Sequence, residues 1–401
     1  MRKITFTVLA LYILAGNLFA QVSTEQGPEY SAQTVHVTSS PIYALTSGEY
    51  NSTIDGIEAA VLIGSGAVLQ LNPNDWSTET ILSSTDEVLH MTERPTLDIG
   101  NVMGDAENEL VVNPGRLVFV LYQEGGQWLN DIVYDISDFT GTLWGARVGD
   151  ADLSREGDEI IVINETVFDF SIAELITPAT EPGAWDTRMI YSEEVGMDSA
   201  IGDFDPTHPG PELVLVTEMG PAYELYPSPD PTREKWDIKT IWDDSENAGW
   251  VVKIADVLPG NDGNELIYGT RYNNKIMISY PDASGQHTLE TIFQGRAQPP
   301  DVENDRNMWD IAVGDLLEKN PGMEIVGVDE TGAVYLVWYA NGEWHNKIIY
   351  EPPQRQPLHA ITIGDFTVDV PGNEILVGGA SREVILLSRE PDTLVSSWKM
   401  Y

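Results

Sequence analysis

Residues 311–328 read IAVGDLLEKNPGMEIVGV, and this phrase decides the fold because the chain repeats it. It contains an apolar strand, a Gly-Asp step, a polar loop, a Gly-x-Glu step and a second apolar strand. Variants of it occupy residues 45–64, 97–112, 146–163, 199–216, 252–269 and 361–378. The glutamate that ends each loop recurs every 50 to 59 residues, at Glu58, Glu109, Glu159, Glu212, Glu265, Glu324 and Glu374. A period of this length in seven copies predicts a repeat architecture.

Two more strands follow each copy. The third is a short run rich in Val, Ile and Tyr, such as AVYLVWY at 333–339, and the fourth carries an aromatic residue five positions before an apolar one, as in Trp344 and Ile349. These runs are bounded by Gly, Pro, Asn and Asp, which is typical of strands. Four strands in each of seven units predict an all-β, seven-bladed β-propeller of antiparallel blades, formed as one domain by residues 21–401.

A ring of blades needs a closing device, because an unpaired strand edge invites aggregation. Residues 30–35 precede the first unit and have the spacing of a fourth strand. We therefore expect them to pair with the strand at 383–388 inside the last blade. The C-terminal residues 396–401 compete for the same edge, so the sequence leaves this detail open.

The first twenty residues predict export. Arg2 and Lys3 precede an apolar run at 4–15, and Ala20 ends a small-residue site that suits cleavage before Gln21. This is the pattern of a signal peptide, residues 1–20, and we expect a secreted or periplasmic protein. An uncleaved anchor is the alternative, but the run is shorter than the roughly 18 apolar residues that span a bilayer, and no later stretch is longer. We therefore expect no membrane insertion.

Composition excludes several classes of function. The net charge of −43 repels phosphate backbones and anionic lipid, which argues against nucleic acid and peripheral membrane surfaces as partners. The absence of cysteine excludes disulfides, thiolate metal sites and a cysteine nucleophile. No nucleophile elbow, P-loop, zinc-protease or dinucleotide motif is present.

The motif Gly-Asp-x-Asp followed by Gly-x-Glu resembles the FG-GAP, or VCBS-type, propeller repeat. That repeat is found in integrin α-chain heads and secreted bacterial proteins. The resemblance covers residues 30–401 and implies the propeller fold. It does not imply one function, since such propellers include adhesins, sugar binders, lyases and dehydratases. It also implies a structural Ca²⁺, which the family's loop binds through several oxygens of one turn.

Two loops retain ligands for that ion. Blade 3 keeps the full set and blade 7 a weaker one: Asp150, Asp152, Ser154 and Asp158, then Asp365 and Asp369 with Thr367 and Asn373. The alternative is that these aspartates cap their own loops by accepting backbone N–H bonds. The seven repeated glutamates are predicted to be structural, because no catalytic site needs seven copies.

The start of each innermost strand should face one rim of the central channel. Six residues before the first loop acid stand Tyr43, Pro95, Trp144, Met197, Trp250, Trp309 and His359. Flat aromatic faces around a funnel suit the C–H faces of sugars. The alternative is that the same side chains fill the wedge between blades.

Polar residues flank this ring and supply candidate chemistry. The candidate catalytic residues are His90, Arg94, Arg306, Asp310 and His359, and the candidate ligand-binding residues are Tyr43, Trp144, Trp250, Trp309, Arg147 and Arg355. An arginine could pair a uronate carboxylate while a histidine removes the neighbouring proton, which is β-elimination chemistry. Alternatively, these charges are solvated and share no task.

Two functions therefore compete. The first is a monomeric module that binds a carbohydrate or polysaccharide at the channel rim. The second is an enzyme, a polysaccharide lyase or sugar dehydratase, that acts at the same rim. A protein-binding or purely structural role is the remaining possibility. The identity of the glycan stays open.

Overall fold

The structure is a computed structural model, and it shows seven four-stranded antiparallel sheets. It describes residues 28–390 apart from 55, 84–93, 106, 138–140, 153–154, 156, 166–170, 180–182, 209, 229–235, 262, 283–284, 297–307, 368–369 and 371. The innermost strands of neighbouring sheets contact each other around the whole ring, and the first sheet contacts the last. The predicted seven-bladed β-propeller is confirmed. The predicted signal peptide lies outside the described residues.

The strands are named β1 to β28 in chain order, and their position within a blade repeats. The innermost strands are β2 (Ile42–Gly48), β6 (Thr96–Gly100), β10 (Thr142–Gly149), β14 (Gly196–Gly202), β18 (Gly249–Ala255), β22 (Met308–Gly314) and β26 (Leu358–Gly364). The second strands are β3 (Glu58–Ile63), β7 (Glu109–Asn113), β11 (Glu159–Glu165), β15 (Glu212–Thr217), β19 (Glu265–Thr270), β23 (Glu324–Asp329) and β27 (Glu374–Gly379). Nearly every residue of the second strands is buried, since both faces meet neighbouring blades.

The outer half of each blade is less buried. The third strands are β4 (Val68–Leu71), β8 (Leu117–Glu124), β12 (Ser171–Pro178), β16 (Pro221–Tyr226), β20 (Lys275–Pro281), β24 (Val334–Ala340) and β28 (Glu383–Arg389). The outermost strands are β5 (Thr78–Leu82), β9 (Gln127–Asp135), β13 (Trp185–Ser192), β17 (Asp237–Asp243), β21 (His287–Gln294), β25 (Glu343–Tyr350) and β1 (Tyr30–Val37). A 3₁₀ turn at Ser245–Asn247 precedes β18.

The N-terminal strand closes the ring. β1 is the outermost strand of the last blade and pairs antiparallel with β28, from Tyr30 opposite Arg389 to Val37 opposite Glu383. This confirms the predicted pairing, with a strand two residues longer than expected. The competing C-terminal residues lie outside the described residues. Because one blade takes strands from both ends of the chain, opening the ring would expose the edges of β1 and β28.

In six blades a glycine before the first loop residue permits close packing at the axis, and in blade 5 Ala255 takes its place. A Cβ atom on Gly149 would lie 2.9 Å from Ile201 Cβ in the next blade, and one on Gly314 would lie 2.9 Å from Ile363 Cγ2. Real Cβ atoms do not approach carbon so closely, so a larger residue would push the blades apart. Glycine at this step is therefore favoured where the next blade packs most closely, as at Gly149 and Gly314.

The seven repeated glutamates clamp the loops, which confirms their predicted structural role. Glu324 Oε2 accepts the backbone N–H groups of Leu316 and Leu317 at 2.8 and 2.9 Å, and the corresponding carboxylate in every other blade accepts at least one N–H at the same place. All seven glutamates are at most 2% exposed. Each carboxylate satisfies donors that would otherwise be buried without a partner.

Side chains also connect neighbouring blades near the channel. Asp198 Oδ2 accepts the N–H of Val252 at 3.1 Å, and Asp310 Oδ2 accepts that of Ile361 at 3.2 Å. In each case the acceptor lies on one innermost strand and the donor on the next. Innermost strands have a free edge, so these bonds satisfy N–H groups that no sheet partner can reach.

We predict that Glu324→Ala strongly destabilises the protein. The substitution leaves the Leu316 and Leu317 N–H groups buried without an acceptor, which costs about 2–5 kcal/mol of unfolding free energy. Urea denaturation followed by tryptophan fluorescence measures the loss. Glu318→Ala, on the exposed side of the same loop, should change stability by less than about 0.5 kcal/mol. Equal effects of the two substitutions would contradict the clamp.

The clamps also predict a pH dependence. Burial raises the pKa of Glu109 from 4.5 to about 7, against the opposing effect of the Met103 N–H. The folded protein then binds more protons than the unfolded chain between these pH values, so the unfolding free energy falls as pH rises through this window. Glu109→Gln keeps an acceptor for Met103 and should flatten this slope, measured as thermal midpoints from pH 4.5 to 7.5. An unchanged slope, or equal flattening by Glu107→Gln on the same loop, would argue against this assignment.

Candidate functional site

The ring position identified from the repeat brings aromatic side chains from five blades into one continuous run. Ring centroids lie 5.4 Å apart for Tyr43 and His359, 4.9 Å for His359 and Trp309, 5.5 Å for Trp309 and Trp250, and 6.3 Å for Trp250 and Trp144. The Tyr43 pair is stacked and the others meet edge to face, which are the favourable geometries for aromatic contacts. Residues far apart in the chain thus form one aromatic wall.

Only part of this wall is open. A cavity of about 770 Å³ at the axis is lined by Tyr43, Trp309 and His359, but not by Trp144 or Trp250. Trp250 is 7% exposed and belongs to the core cluster that joins blades 4 to 6. The Trp250 side of the ring therefore fills the wedge between blades, and its Trp309–His359–Tyr43 side faces a cavity.

Arg94 crosses the channel and ties four blades together. Its guanidinium donates to the carbonyl oxygens of Trp250 and, at 3.4 Å, of Trp309, and its Nη1 lies 3.2 Å from Asp198 Oδ2. Arg147 Nε donates to the other oxygen, Asp198 Oδ1, at 2.9 Å. Although burial opposes it, the two guanidiniums lower the pKa of Asp198 to about 2. Both arginines thus have a buried structural partner.

Asp310 and His359 lie beside this ion cluster. Asp310 accepts the N–H groups of Ile311 and Ile361, and burial raises its pKa against the pull of Lys253 and Arg94. His359 Nδ1 lies 3.1 Å from the carbonyl oxygen of Ile42, which can only accept, so Nδ1 carries the proton and Nε2 the lone pair. Burial lowers the pKa of His359, and the ring is a neutral base near pH 7.

Lys253 is a further charged group in the cavity wall. Within the described residues its ammonium has no hydrogen-bond or ion-pair partner, unlike the two buried arginines. Asp98 also lies in the wall, and its Oδ2 accepts the N–H of Val148 at 3.1 Å. Lys253 was not among the sequence candidates, although it stands at the same repeat position as Arg147.

Three tryptophans of the aromatic ring position also have polar partners that the sequence did not point to. Trp144 Nε1 donates to Glu165 Oε2 at 2.7 Å, and Trp309 Nε1 donates to Glu330. Arg271 occupies the equivalent position beside Trp250, 5.3 Å from the ring centroid. Each of these partners follows its tryptophan by 21 residues. This constant spacing is the sequence signal from which these polar partners could have been predicted.

One predicted rim residue, Arg355, does not join the cavity. Arg355 is 62% exposed and pairs at 3.8 Å with Glu351 on the connection between blades 6 and 7. It does not line the cavity. His90 and Arg306 lie outside the described residues. The predicted cluster of histidine and arginine is thus represented by His359, Arg94 and Arg147, and both arginines are already paired.

The predicted calcium loop of blade 3 is compact and acidic. Burial raises the pKa of Asp150, and the negative charges of Asp158 and Asp152 add to it. Asp158 Oδ2 accepts the N–H of Asn101 in the neighbouring blade at 2.8 Å, so this carboxylate also ties two blades. Ser154 and, in blade 7, Asp369 lie outside the described residues. The remaining carboxylate oxygens are ligands of the kind that a hard divalent cation binds, and Ca²⁺ in the blade 3 loop stays a prediction.

Comparisons with known proteins agree with the fold. No protein-family model and no curated protein sequence matches the chain. The chain is similar to BBS1N in its crystal structure in complex with ARL6DN soaked with lead, with 10% identity, a TM-score of 0.57 and coverage of 91% of this chain and 97% of that chain. It is also similar to the Dos1 propeller, with 11% identity, a TM-score of 0.50 and coverage of 90% and 81%.

At these identities the similarity shows the fold alone. The ring of seven four-stranded sheets and the structural comparisons together define the chain as a seven-bladed β-propeller. Within the described residues no helix is long and apolar enough to cross a membrane.

We predict that Arg94→Met destabilises the protein. Removing this guanidinium leaves Asp198 with one of its two buried cations, and such losses cost about 3–5 kcal/mol. Arg355→Met removes the same charge from an exposed position and should change the free energy of unfolding by less than about 1 kcal/mol. Urea denaturation of both variants measures the difference. A stable Arg94→Met protein would show that Arg94 is not a structural tie.

Proposed function

We propose that this protein binds a carbohydrate at the mouth of its central channel. The observation that carries the proposal is the open aromatic wall of Trp309, His359 and Tyr43 beside a cavity of about 770 Å³. Flat apolar faces bury the C–H faces of a sugar ring with defined geometry. The volume is that of a small-molecule site rather than of a packing defect.

The polar part of the wall suits hydroxyl groups. Thr46, Thr362, Asp98 and Glu330 line the same cavity and offer hydrogen-bond donors and acceptors. Asp198 offsets one of the two charges of Arg94 and Arg147, and acidic side chains in the cavity wall oppose the other, so the arginines do not make the cavity strongly cationic. The chain's net charge of −43 would in addition repel a polyanion at long range. These features favour a neutral glycan over an acidic one.

We expect Trp309→Ala to weaken glycan retention about tenfold, which corresponds to about 1.4 kcal/mol of lost stacking. Affinity electrophoresis in gels containing neutral or acidic polysaccharides, after screening on a glycan array, provides the measurement. Trp309→Phe retains a flat face and should restore most of the binding. Trp144→Ala is the matched control, because Trp144 occupies the same repeat position but does not line the cavity.

The two ways in which this experiment can fail are distinct. If the wild-type protein is retained by no polysaccharide, the proposed function is wrong. If the wild-type protein binds but Trp309→Ala and Trp144→Ala weaken it equally, the function stands and the site is wrong. Circular dichroism and the urea midpoint establish that each variant is folded.

A β-elimination lyase is the second candidate, and His359 is the observation in its favour. Its Nδ1 is tied to the Ile42 carbonyl and its neutral Nε2 is the one available for proton abstraction. Incubation with uronate-containing polysaccharides would then produce absorbance near 235 nm, lost in His359→Gln. No absorbance with any such substrate would leave the binding module as the function.

We further propose that the protein is exported by its N-terminal segment and acts as a monomer, and that its repeats are of the FG-GAP type with Ca²⁺ in the blade 3 loop. Export is supported by the basic and apolar pattern of residues 1–20. The repeat assignment is supported by the Gly-x-Glu step and its buried clamp. The calcium site is supported by the mutual proximity of Asp150, Asp152 and Asp158.

A further inference from the structure

Blade 4 differs from blades 5 and 6 at one position of the repeated loop. In blade 5 Asn261 Nδ2 donates to Glu265 Oε1 at 2.6 Å, and in blade 6 Asn320 donates to Glu324 Oε1 at 2.7 Å. Each asparagine stands four residues before the clamp glutamate. In blade 4 the residue at that position is His208. The clamp oxygen Oε1 that accepts an asparagine N–H in blades 5 and 6 therefore has no asparagine donor in blade 4.

His208 does not replace the missing asparagine. Its Nδ1 lies 2.8 Å from Glu224 Oε1 on β16, and its ring stacks on Tyr226 with centroids 4.0 Å apart. Glu212 Oε2 accepts the Phe204 N–H at 3.0 Å, but Glu212 Oε1 is fully buried and has no hydrogen-bond partner within the described residues. The whole residue is 1% exposed. An uncompensated carboxylate oxygen at such a depth needs a cation or a proton.

Glu212 and two other potential metal ligands lie close together. Ligand atoms of His208, Glu212 and Glu224 all lie within 4.8 Å of one another. Lys239 Nζ lies 3.0 Å from Glu224 Oε2 and 2.5 Å from Asp205 Oδ2, so its positive charge is shared by these two carboxylates. Among the residues that the structure describes, no basic side chain forms an ion pair with Glu212.

We propose that His208, Glu212 and Glu224 form a binding site for a divalent transition-metal ion, with Zn²⁺ as the best fit. One imidazole nitrogen and two carboxylate oxygens are ligands that Zn²⁺ accepts, and they leave a coordination position open. Tyr226 and Lys239 act as positioning residues that hold the imidazole and the Glu224 carboxylate. The side chain of His208 is 27% exposed, which gives an ion a path from solvent.

This site is separate from the others discussed above. The calcium loop of blade 3 offers oxygen ligands only, whereas the blade 4 site contains a nitrogen donor, which favours Zn²⁺ over Ca²⁺. It lies in the loop after β14 and on the third strand of blade 4, and none of its ligands lines the central cavity. Its occupancy therefore does not depend on the proposed glycan binding.

The decisive variant is His208→Asn, because it recreates the asparagine of blades 5 and 6. Isothermal titration of EDTA-treated, dialysed protein with ZnCl₂, in excess Mg²⁺ and salt to occupy surface carboxylates, should show one tight event and a higher thermal midpoint. We expect His208→Asn to fold and to bind Zn²⁺ at least about tenfold more weakly, the lower bound for losing a ligand. His345→Asn, on an outer strand of blade 6, should bind as the wild type.

A second measurement keeps the test independent of folding. Co²⁺ added to the wild-type protein should give visible d–d absorption that Zn²⁺ displaces, and Glu212→Gln should reduce it. The proposal is wrong if His208→Asn and wild type bind Zn²⁺ equally, since the ions would then occupy surface carboxylates only. It is also wrong if the wild type shows no tight event, or if Ca²⁺ occupies the same site as tightly as Zn²⁺.

Discussion

The buried carboxylate that ends each loop is the interaction on which the other features depend. The chain leaves each innermost strand with backbone N–H groups that no strand can pair, and a glutamate at the start of the second strand accepts them. Because the loop is held in this way, the second strand begins at a fixed position beside the innermost strand. Seven such loops connect the innermost and second strands of seven blades, which close into a ring. Without this clamp the donors would remain unsatisfied in the core, at a cost that no surface contact offsets.

Ring closure brings a second constraint, because the innermost strands present free edges to the axis. Polar side chains of one blade satisfy the N–H groups of the next, as Asp198 and Asp310 do. This explains why charged residues lie in the channel and why two arginines there are paired with Asp198 rather than available to a ligand. The aromatic wall of Trp309, His359 and Tyr43 faces the cavity, and the proposed glycan site is based on it.

The repeat made much of the architecture predictable. Its period gave the number of blades, the strand count and the closure by β1, and the sevenfold recurrence of glutamate indicated a structural role; the structure confirms these points. The same alignment of repeats identified the aromatic ring position. It did not distinguish Trp250, which is buried, from Trp309, which faces the cavity, because both have the same place in the repeat. The partners of Arg94 were equally unpredictable, since they belong to three other blades.

The sequence by itself determined the repeating unit, because strand patterning and the loop clamp involve residues within about 20 positions of each other, and local spacing encodes such contacts. Only the tertiary structure decided which copies of the repeat place their side chains against different partners. Arg94 reaches blades 4 to 6, and His208 turns towards Glu224 instead of its own clamp. These choices depend on the curvature of the closed ring and on loop paths, which place side chains from distant units within hydrogen-bonding reach. A pattern that repeats along the chain carries no information about which copy faces open space at the axis.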